Sequence, residues 1–199
     1  GVLMRDLSAL YGEVVTGVPA ALPPLPVQYA DVAAWQHATA DEGRMAEQVE
    51  AWCRQLDGAP TDLALPLDRP RPPVRGDQGG MVRFTLPPAV AEALSRLARA
   101  EQATPFMALL AVYAAVLARW SGQDAVTIGC PAGGRDRLET QNLVGFFVNN
   151  LVLRADLTDD PGFAALLRRL RAVCLDAFSR QDVPFDRVVE ALNPERALN

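Results

Sequence analysis

The chain has 199 residues, of which 50% are hydrophobic and 22% are charged, as in an ordinary globular protein of one large domain or two smaller lobes. Its formal net charge of −5 argues against nucleic acid as a partner and against a basic surface that binds membranes. The longest apolar run, Phe106–Ala118, is shorter than the roughly 20 residues of a membrane span, and it predicts a buried core helix instead.

Cys53, Cys130 and Cys174 are scattered along the chain. An odd, widely spaced set argues against a disulfide framework and favours a reducing compartment, which predicts a cytoplasmic protein. The sequence begins inside a helical pattern, without Met or a capping residue, and it stops at ALNPERALN without a closing element. We therefore expect a piece of a longer protein.

The first predicted element is a helix over residues 1–16, ended by Gly17 and Pro19. The stretch ALPPLP then predicts a stiff, extended connector. A second helix is predicted from Tyr29, and GRMAEQVEAWCRQLDG either continues it or starts another, with Gly58 as the stop signal.

Prolines and glycines are concentrated in residues 61–80, and this stretch is predicted to be a linker at a lobe boundary. The division leaves a helical segment, residues 1–60, which would be the trailing part of a first lobe with the connection between lobes. Residues 81–199 would form the second lobe.

The second lobe is predicted as β-α-α-β-β-α-α. The alternation in MVRFTLP predicts a strand, and Pro87–Pro88 starts a helix. Thr104–Pro105 opens another helix, apolar nearly all round and therefore expected to be buried. AVTIGCPA predicts a strand that enters the glycine turn GGRD, and a longer strand is predicted over 143–157. The last helices are predicted from Asp160–Pro161 and over Phe185–Leu192.

The single histidine, His37, limits the catalytic chemistries that this sequence allows. A Ser-His-Asp or Cys-His site would have to use it, yet its place after Trp35 on a helix predicts a solvated or capping side chain. The sequence has no zinc-binding cluster of Cys and His. PAGGRD matches neither of the glycine-rich phosphate-binding motifs, G-x-x-x-x-G-K-S/T and G-x-G-x-x-G. We predict no metal site and no complete active site in this sequence.

Four stretches resemble four successive core motifs of condensation domains from nonribosomal peptide synthetases, in the family's order. They are YADVAAWQ (29–36), IGCPAGGR (128–135), VGFFVNNLVLR (144–154) and RQDVPFD (180–186). The opening GVLMRDLSALY is also similar to the helix that follows the family's HHxxxDG motif. The resemblance implies an α/β, chloramphenicol-acetyltransferase-like fold of two lobes, with a mixed sheet flanked by helices, incomplete in this chain.

The resemblance implies amide formation between a donor acyl or peptidyl thioester and an acceptor aminoacyl group, as in antibiotic or siderophore biosynthesis. Both substrates would be carried on the phosphopantetheine of carrier proteins, and no cofactor would bind directly. The second histidine of HHxxxDG would act as a base or a positioning group. That motif is absent here and is expected before Gly1, so we expect no activity from these residues alone.

The expected partners are peptidyl carrier protein domains, the missing N-terminal lobe and a neighbouring adenylation domain. As supporting residues the resemblance indicates Arg135, Asn149 and Asn150. Arg135 would pair with the aspartate of HHxxxDG, or else be a solvated turn residue. Strand parity places Asn149 and Asn150 on opposite faces. We expect one amide to be satisfied within the lobe and the other to lie near the channel, and parity alone leaves open which.

The binding candidates are Tyr29, Trp35, Gln181 and Asp182. The alternative for the two aromatic residues is packing, with Asp31 as a cap or an ion-pair partner on the same helix. The alternative for Asp182 is that it caps the helix that starts near Pro184. A further set of candidates for docking acidic carrier proteins, with a solvated helix face as the alternative, comprises Arg168, Arg169 and Arg171.

Three functions remain open at this level. The first is a part of an amide-forming condensation domain, and the second is a non-catalytic, partner-recruiting module of the same fold. The third is an epimerisation, cyclisation or acyltransferase domain of the same superfamily. An intact HHxxxDG motif before Gly1 would favour the first over the second.

Overall fold

A computed structural model describes residues 1–72, 76 and 78–193. Parts of the predicted linker and of the C-terminal ALNPERALN lie outside the described residues. In chain order the elements are α1 (Val2–Thr16), α2 (Tyr29–Thr39), α3 (Glu42–Leu56), α4 (Pro88–Ala100), α5 (Pro105–Ser121), β1 (Ala125–Ala132), a 3-10 turn (Leu138–Thr140), β2 (Asn149–Asp156), α6 (Phe163–Ser179) and α7 (Phe185–Leu192).

The helix ends follow the capping signals of the sequence. Gly17 closes α1 in the left-handed conformation, with φ of 72°, a geometry that costs glycine little. The Asp41 side chain accepts a hydrogen bond from the Arg44 N–H at 3.1 Å, so α3 is a new helix rather than a continuation of α2. At α5, the Thr104 hydroxyl accepts from the Met107 N–H, and Pro105 occupies the first helical position.

Strands β1 and β2 form an antiparallel pair, with Ala125 opposite Asp156 and Ala132 opposite Asn149. Alternation along each strand buries one face of this pair. The buried positions are Val126, Cys130 and Ala132 of β1 and Leu151, Leu153 and Ala155 of β2. The helices α5 and α6 pack against this face and against each other.

Helix α3 joins the same core, although it precedes the predicted linker. Trp52 and Leu56 are buried in the cluster that holds the core residues of α5, α6 and the sheet, and α3 also packs against α7. The segment after α3 lies on the sheet, because the Thr127 hydroxyl donates to the Pro60 carbonyl at 2.8 Å and the Arg154 guanidinium donates to the Asp57 carbonyl. The division into residues 1–60, 61–80 and 81–199 stays a prediction.

Helix α5 is only half buried, so the prediction that it is buried all round was wrong. Its buried face consists of Met107, Ala108, Leu110, Ala111, Ala114 and Ala118. Phe106, Tyr113 and Trp120 lie on the other side and remain 43%, 53% and 66% exposed. Small alanines let α6 and the sheet approach one side of α5 closely, and the bulky residues are left on the opposite side.

The predicted strand in MVRFTLP is not formed. Residues 81–87 have no regular secondary structure, and the Val82 and Phe84 side chains are exposed. A strand is held by ladder hydrogen bonds to a neighbouring strand, and within the described residues the only ladder joins β1 to β2. Alternating hydrophobicity reports the tendency to pair and cannot supply the partner.

The strand predicted over 143–157 begins only at Asn149. Residues 143–148 do not pair in the sheet, because side chains of this chain donate hydrogen bonds to their carbonyl groups, as described below. Across the described ranges, no single helix is long and apolar enough to cross a bilayer. Helices α4 and α5 reach that length only as a pair, bent by 106° at their junction.

Candidate functional site

The site is built on residues 133–148, which leave β1 and return to β2 and which we call the connecting segment. It begins with a sharp turn at Gly134, where φ is +59°. A Cβ atom at Gly134 would lie 2.1 Å from the Phe147 carbonyl oxygen, so only glycine lets the two ends of the segment come this close. The glycine-rich turn therefore serves backbone geometry.

Arg135 holds the connecting segment together from inside. Its Nη1 donates to the carbonyl oxygens of Thr140 and Leu143, the second at 3.0 Å, and its Nη2 donates to the Gly145 carbonyl at 3.1 Å. The guanidinium carbon lies 4.4 Å from the centre of the Phe147 ring. One planar cation thus replaces the neighbouring strand that these carbonyls would otherwise need.

This geometry gives Arg135 a partner set that the sequence did not suggest. The side chain is half buried and committed to its own segment rather than solvated in the turn. The predicted pairing with the aspartate of an HHxxxDG motif remains a prediction, since that motif is not part of this sequence.

Helix α2 packs on the connecting segment through its aromatic residues. The Tyr29 hydroxyl donates to the Phe146 carbonyl at 2.9 Å, and its ring meets the Phe147 ring edge-on, with centroids 5.1 Å apart. The Arg137 guanidinium carbon lies 4.0 Å from the centre of the Trp35 ring, a cation–π contact. Both aromatic binding candidates therefore pack against the segment.

The polar residues of α2 have local roles. The Asp31 carboxylate accepts from the Gln28 N–H at 2.8 Å, so it caps the helix as the alternative interpretation proposed. His37 lies in the last turn of α2 and is exposed. Helix α1 also reaches the connecting segment, because Arg5 Nη1 donates to Asn142 Oδ1 at 2.7 Å.

The Tyr29 ring can pack against the connecting segment because Gly145 has no side chain. A Cβ atom there would lie 2.3 Å from Tyr29 Cδ2. We expect Gly145→Ala to lower the free energy of unfolding by about 1–3 kcal/mol, because the ring has to move away from a packed site. Urea denaturation of the purified protein measures this change.

Two further variants complete this measurement. Gly129→Ala is the control, because a Cβ at that strand glycine meets nothing within 4 Å. In a Tyr29→Ala background, Gly145→Ala should cost much less, since the clashing ring is gone. An equal cost with and without the Tyr29 ring would contradict the contact.

Asn149, the first residue of β2, uses every hydrogen-bonding group of its side-chain amide. Its Nδ2 donates to the carbonyl oxygens of Gln181 and Val183, at 2.7 and 2.6 Å. Its Oδ1 accepts from the backbone N–H of Phe185 at 3.1 Å and from that of Asn150 at 3.0 Å. In a partly buried amide with all its groups paired, the hydrogen bonds offset the cost of desolvation, which explains its place in an apolar strand.

The two adjacent asparagines therefore have different surroundings. Asn149 is the amide that is satisfied within the lobe, on the face shared with Leu151. Asn150 lies opposite Pro131 with its side chain exposed, on the other face of the β1–β2 pair. Strand alternation predicts that the two asparagines lie on opposite faces. The hydrogen bonds with the α6–α7 break identify Asn149 as the one on the inner face.

The break between α6 and α7 brings in one of its two binding candidates. Gln181 Nε2 donates to Asp136 Oδ2 of the connecting segment at 2.8 Å. Asp182 is exposed, and the prediction that it caps α7 was wrong. The residue at the cap position is Pro184, and Asn149 Oδ1 takes the Phe185 N–H at the start of α7 in place of a local side chain.

The sequence interpretation missed Asp136, Arg137, Gly145 and Phe147 as contact residues. Gly145 carried a usable signal, since a glycine inside an apolar stretch marks a close approach of another group. Asp136 and Arg137 directly follow Arg135 in the sequence, but alternating charges in a loop do not indicate which partner each residue finds.

The three arginines of α6 contact neighbouring loops of the same chain. Arg169 donates to the Thr158 carbonyl at 3.0 Å, and Arg171 donates to the Gln102 carbonyl at 2.8 Å. Arg168 lies 3.3 Å from the Glu101 carboxylate. These contacts fix the turns before α5 and α6, so the arginines are neither fully solvated nor fully available to another protein.

The buried cysteines do not supply a nucleophile. Burial raises the pKa of the Cys130 thiol, and burial together with the nearby Cys130 raises the pKa of Cys174 to about 11. Both thiols are therefore protonated at neutral pH, and only a thiolate is an effective nucleophile. The donors of Arg135, Tyr29 and Asn149 are bound to carbonyl groups of the chain itself, and they hold the connecting segment in place beside the exposed amide of Asn150.

The sequence model of the Condensation domain family matches residues 1–199. Phosphinothricin tripeptide synthetase PhsC of Streptomyces viridochromogenes is 45% identical over 198 residues, which are 100% of this chain and 18% of that protein. The matched relatives are nonribosomal peptide synthetases.

Solved structures match the fold. The X-domain from teicoplanin biosynthesis, in its complex with OxyB, superposes with a TM-score of 0.87 at 28% identity, over 99% of this chain and 44% of that one. The first condensation domain of the CDA synthetase gives a TM-score of 0.72 at 21% identity, over 96% and 43% of the two chains, and shows the fold alone. The chain thus spans under half the length of these solved structures.

The likeness to solved condensation domains confirms the predicted fold class, a chloramphenicol-acetyltransferase-like fold of which this chain is a part. The predicted recognition rested on four short motifs, and the family match extends it to the whole sequence. The chain belongs to the condensation domain family.

Proposed function

We propose that this chain is part of a condensation domain that joins a donor acyl or peptidyl thioester to an acceptor aminoacyl group. Both substrates are tethered to carrier proteins through phosphopantetheine, and an adenylation domain of the same synthetase loads the acceptor. The match of residues 1–199 to the family carries this proposal, because it covers all the elements that build the site.

The chemistry needs little covalent help from the protein. A thioester is already activated, and the amine attacks its carbonyl carbon once the two groups are held together. The C–N bond forms, the C–S bond breaks, the donor carrier keeps the phosphopantetheine thiol, and the amine gives up a proton. Positioning two tethered reactants is worth about 7–11 kcal/mol of the barrier. A general base contributes about 10²–10⁴-fold more in rate, and hydrogen-bond donors stabilise the developing oxyanion. A rigid wall with positioned polar groups is the part of that scheme that this chain can provide.

Within this scheme the residues of the chain have separate tasks. Arg135 fixes the connecting segment, and Asn149 fixes the start of β2 against α7. Asn150 is the exposed amide next to this rigid assembly, and we assign it to the channel wall. The base is the second histidine of an HHxxxDG motif supplied by the preceding part of the domain, and the aspartate of that motif pairs with Arg135. The 199 residues alone are therefore inactive.

The test is peptide formation by the parent synthetase. The assay contains a reductant, because the cysteines of this chain are free and fit a reducing compartment such as the cytoplasm. A parent domain with an intact HHxxxDG motif, given two aminoacylated carrier proteins, is expected to form the dipeptidyl thioester. Replacing the second histidine of that motif with alanine should lower the single-turnover rate by about 10²–10⁴-fold. Mass spectrometry of the carrier-bound product measures both rates.

The 199-residue chain, assayed in parallel, is expected to form no product. Absence of amide from every loaded carrier pair, with the parent folded and HHxxxDG intact, would exclude the condensation function.

A non-catalytic recruiting module is the second candidate, and one observation favours it. The chain superposes well on an X-domain that was solved in complex with OxyB. A parent that binds a second protein but forms no amide, and whose HHxxxDG motif is altered, would support this function. Accumulation of an epimerised or cyclised carrier-bound product would instead assign the parent to one of the related domain classes.

A further inference from the structure

Gln181 contacts both ends of the connecting segment. Its side-chain Nε2 donates to Asp136 Oδ2 at 2.8 Å, near the start of the segment. Its backbone carbonyl accepts from Asn149 Nδ2 at 2.7 Å, directly after the segment's end. A single residue in the break between α6 and α7 therefore contacts both Asp136, near the start of the segment, and Asn149, the first residue of β2.

The Asp136 carboxylate is available to Gln181 because its charged neighbours are directed elsewhere. Arg135 donates to backbone carbonyls of the segment, and Arg137 lies over the Trp35 ring. A hydrogen bond from an amide to a carboxylate is stronger than one between neutral groups. The contact thus orients the residue next to Arg135 and, through it, the guanidinium that shapes the segment.

We propose that Gln181 is a positioning residue for the amide-forming reaction. It fixes the connecting segment relative to the α6–α7 break, so that the wall formed by the segment and by Asn150 keeps one geometry while substrates pass. This inference rests on the proposed function, because it assigns Gln181 to the same site. It concerns the geometry of the wall and assigns Gln181 no contact with the reacting atoms.

Four variants of the parent domain with an intact HHxxxDG motif test the inference. Gln181→Ala removes the donor, and Gln181→Glu places a second carboxylate against Asp136. Gln181→Glu combined with Asp136→Asn reverses the bond, since the amide introduced at position 136 can donate to the carboxylate introduced at position 181. The control is Arg187→Ala, because Arg187 is exposed on α7, close to Gln181 in sequence.

We expect Gln181→Ala to lower the single-turnover rate of dipeptide formation about tenfold, the worth of one such hydrogen bond. Gln181→Glu should lower it at least as much, because two carboxylates repel each other. The reversed pair should recover most of the rate, and Arg187→Ala should match the wild type. The carrier concentration at half-maximal rate should stay unchanged in all of them, because the residue shapes the wall rather than the carrier contact.

Hydrogen exchange of the same proteins separates this inference from the proposed function, because it needs no catalysis. Residues 133–148 should exchange faster in Gln181→Ala and Gln181→Glu than in Arg187→Ala and in the reversed pair. Unchanged exchange and unchanged rate in Gln181→Ala would overturn the inference while the wild-type activity upholds the function. A slow rate that the reversed pair does not recover would also overturn it. A wild type that forms no amide would overturn the function and, with it, the role in the reaction, even where exchange shows that Gln181 holds the segment.

Discussion

Replacing Asn149 with alanine is expected to lower the free energy of unfolding by about 2–4 kcal/mol. The variant leaves the carbonyls of Gln181 and Val183 without their donor, and it removes the acceptor from the Phe185 N–H. Each group is partly buried, so water replaces the lost partner poorly. Urea denaturation of the purified protein gives the change directly.

Asn150→Ala is the matched control for this measurement. It is the same substitution one residue along the strand, at a side chain that is exposed. We expect a change within about 0.5 kcal/mol, as for surface positions away from special features. Similar losses at the two asparagines would contradict the assignment of the inner amide to Asn149.

Replacing Gly134 with alanine should destabilise the protein by at least about 2 kcal/mol. Two costs add at this position. The left-handed φ of +59° strains any residue with a Cβ, and that Cβ would overlap the Phe147 carbonyl oxygen, which belongs to the backbone and cannot rotate away. The connecting segment must therefore open, and the contacts of Arg135 with its carbonyls should loosen with it.

Gly133→Ala tests whether the effect belongs to Gly134 or to glycine content in general. A Cβ at Gly133 meets nothing within 4 Å, so this variant should be close to neutral. Thermal unfolding monitored by circular dichroism compares the two alanines under identical conditions. A loss of stability at Gly133 as large as at Gly134 would refute the explanation from close approach.

The elements defined by local signals were predictable from the sequence. Helix ends at Gly17 and at Thr104–Pro105 follow from capping chemistry that acts within a few residues. The elements that failed depend on distant partners. Residues 143–148 form a continuous apolar run that is typical of a buried strand. Arg135 and Tyr29 donate to their carbonyl groups instead, and no local pattern reports a side chain that arrives from elsewhere.

For the candidate site, the sequence indicated which residues lie near one another better than it indicated which contacts they make. The motifs contained Tyr29, Trp35, Arg135, Asn149 and Gln181, and the structure brings all five to the connecting segment or its ends. Their roles were harder to predict, because a cap is usually local and here is not. Asp182 lies two residues before Pro184, which is at the cap position of α7, and the Asn149 amide of β2 accepts the hydrogen bond from the Phe185 N–H instead.

The cap of α7 by Asn149 makes the stability of that helix depend on the sheet. The two residues joined by this hydrogen bond are 36 positions apart in sequence, and helix α6, which lies between them in the chain, packs on β2. A short helix without local capping is barely stable in water. Helix α7 and the start of β2 therefore belong to one cooperative unfolding unit, and the wall of the site cannot loosen at one end without releasing the other.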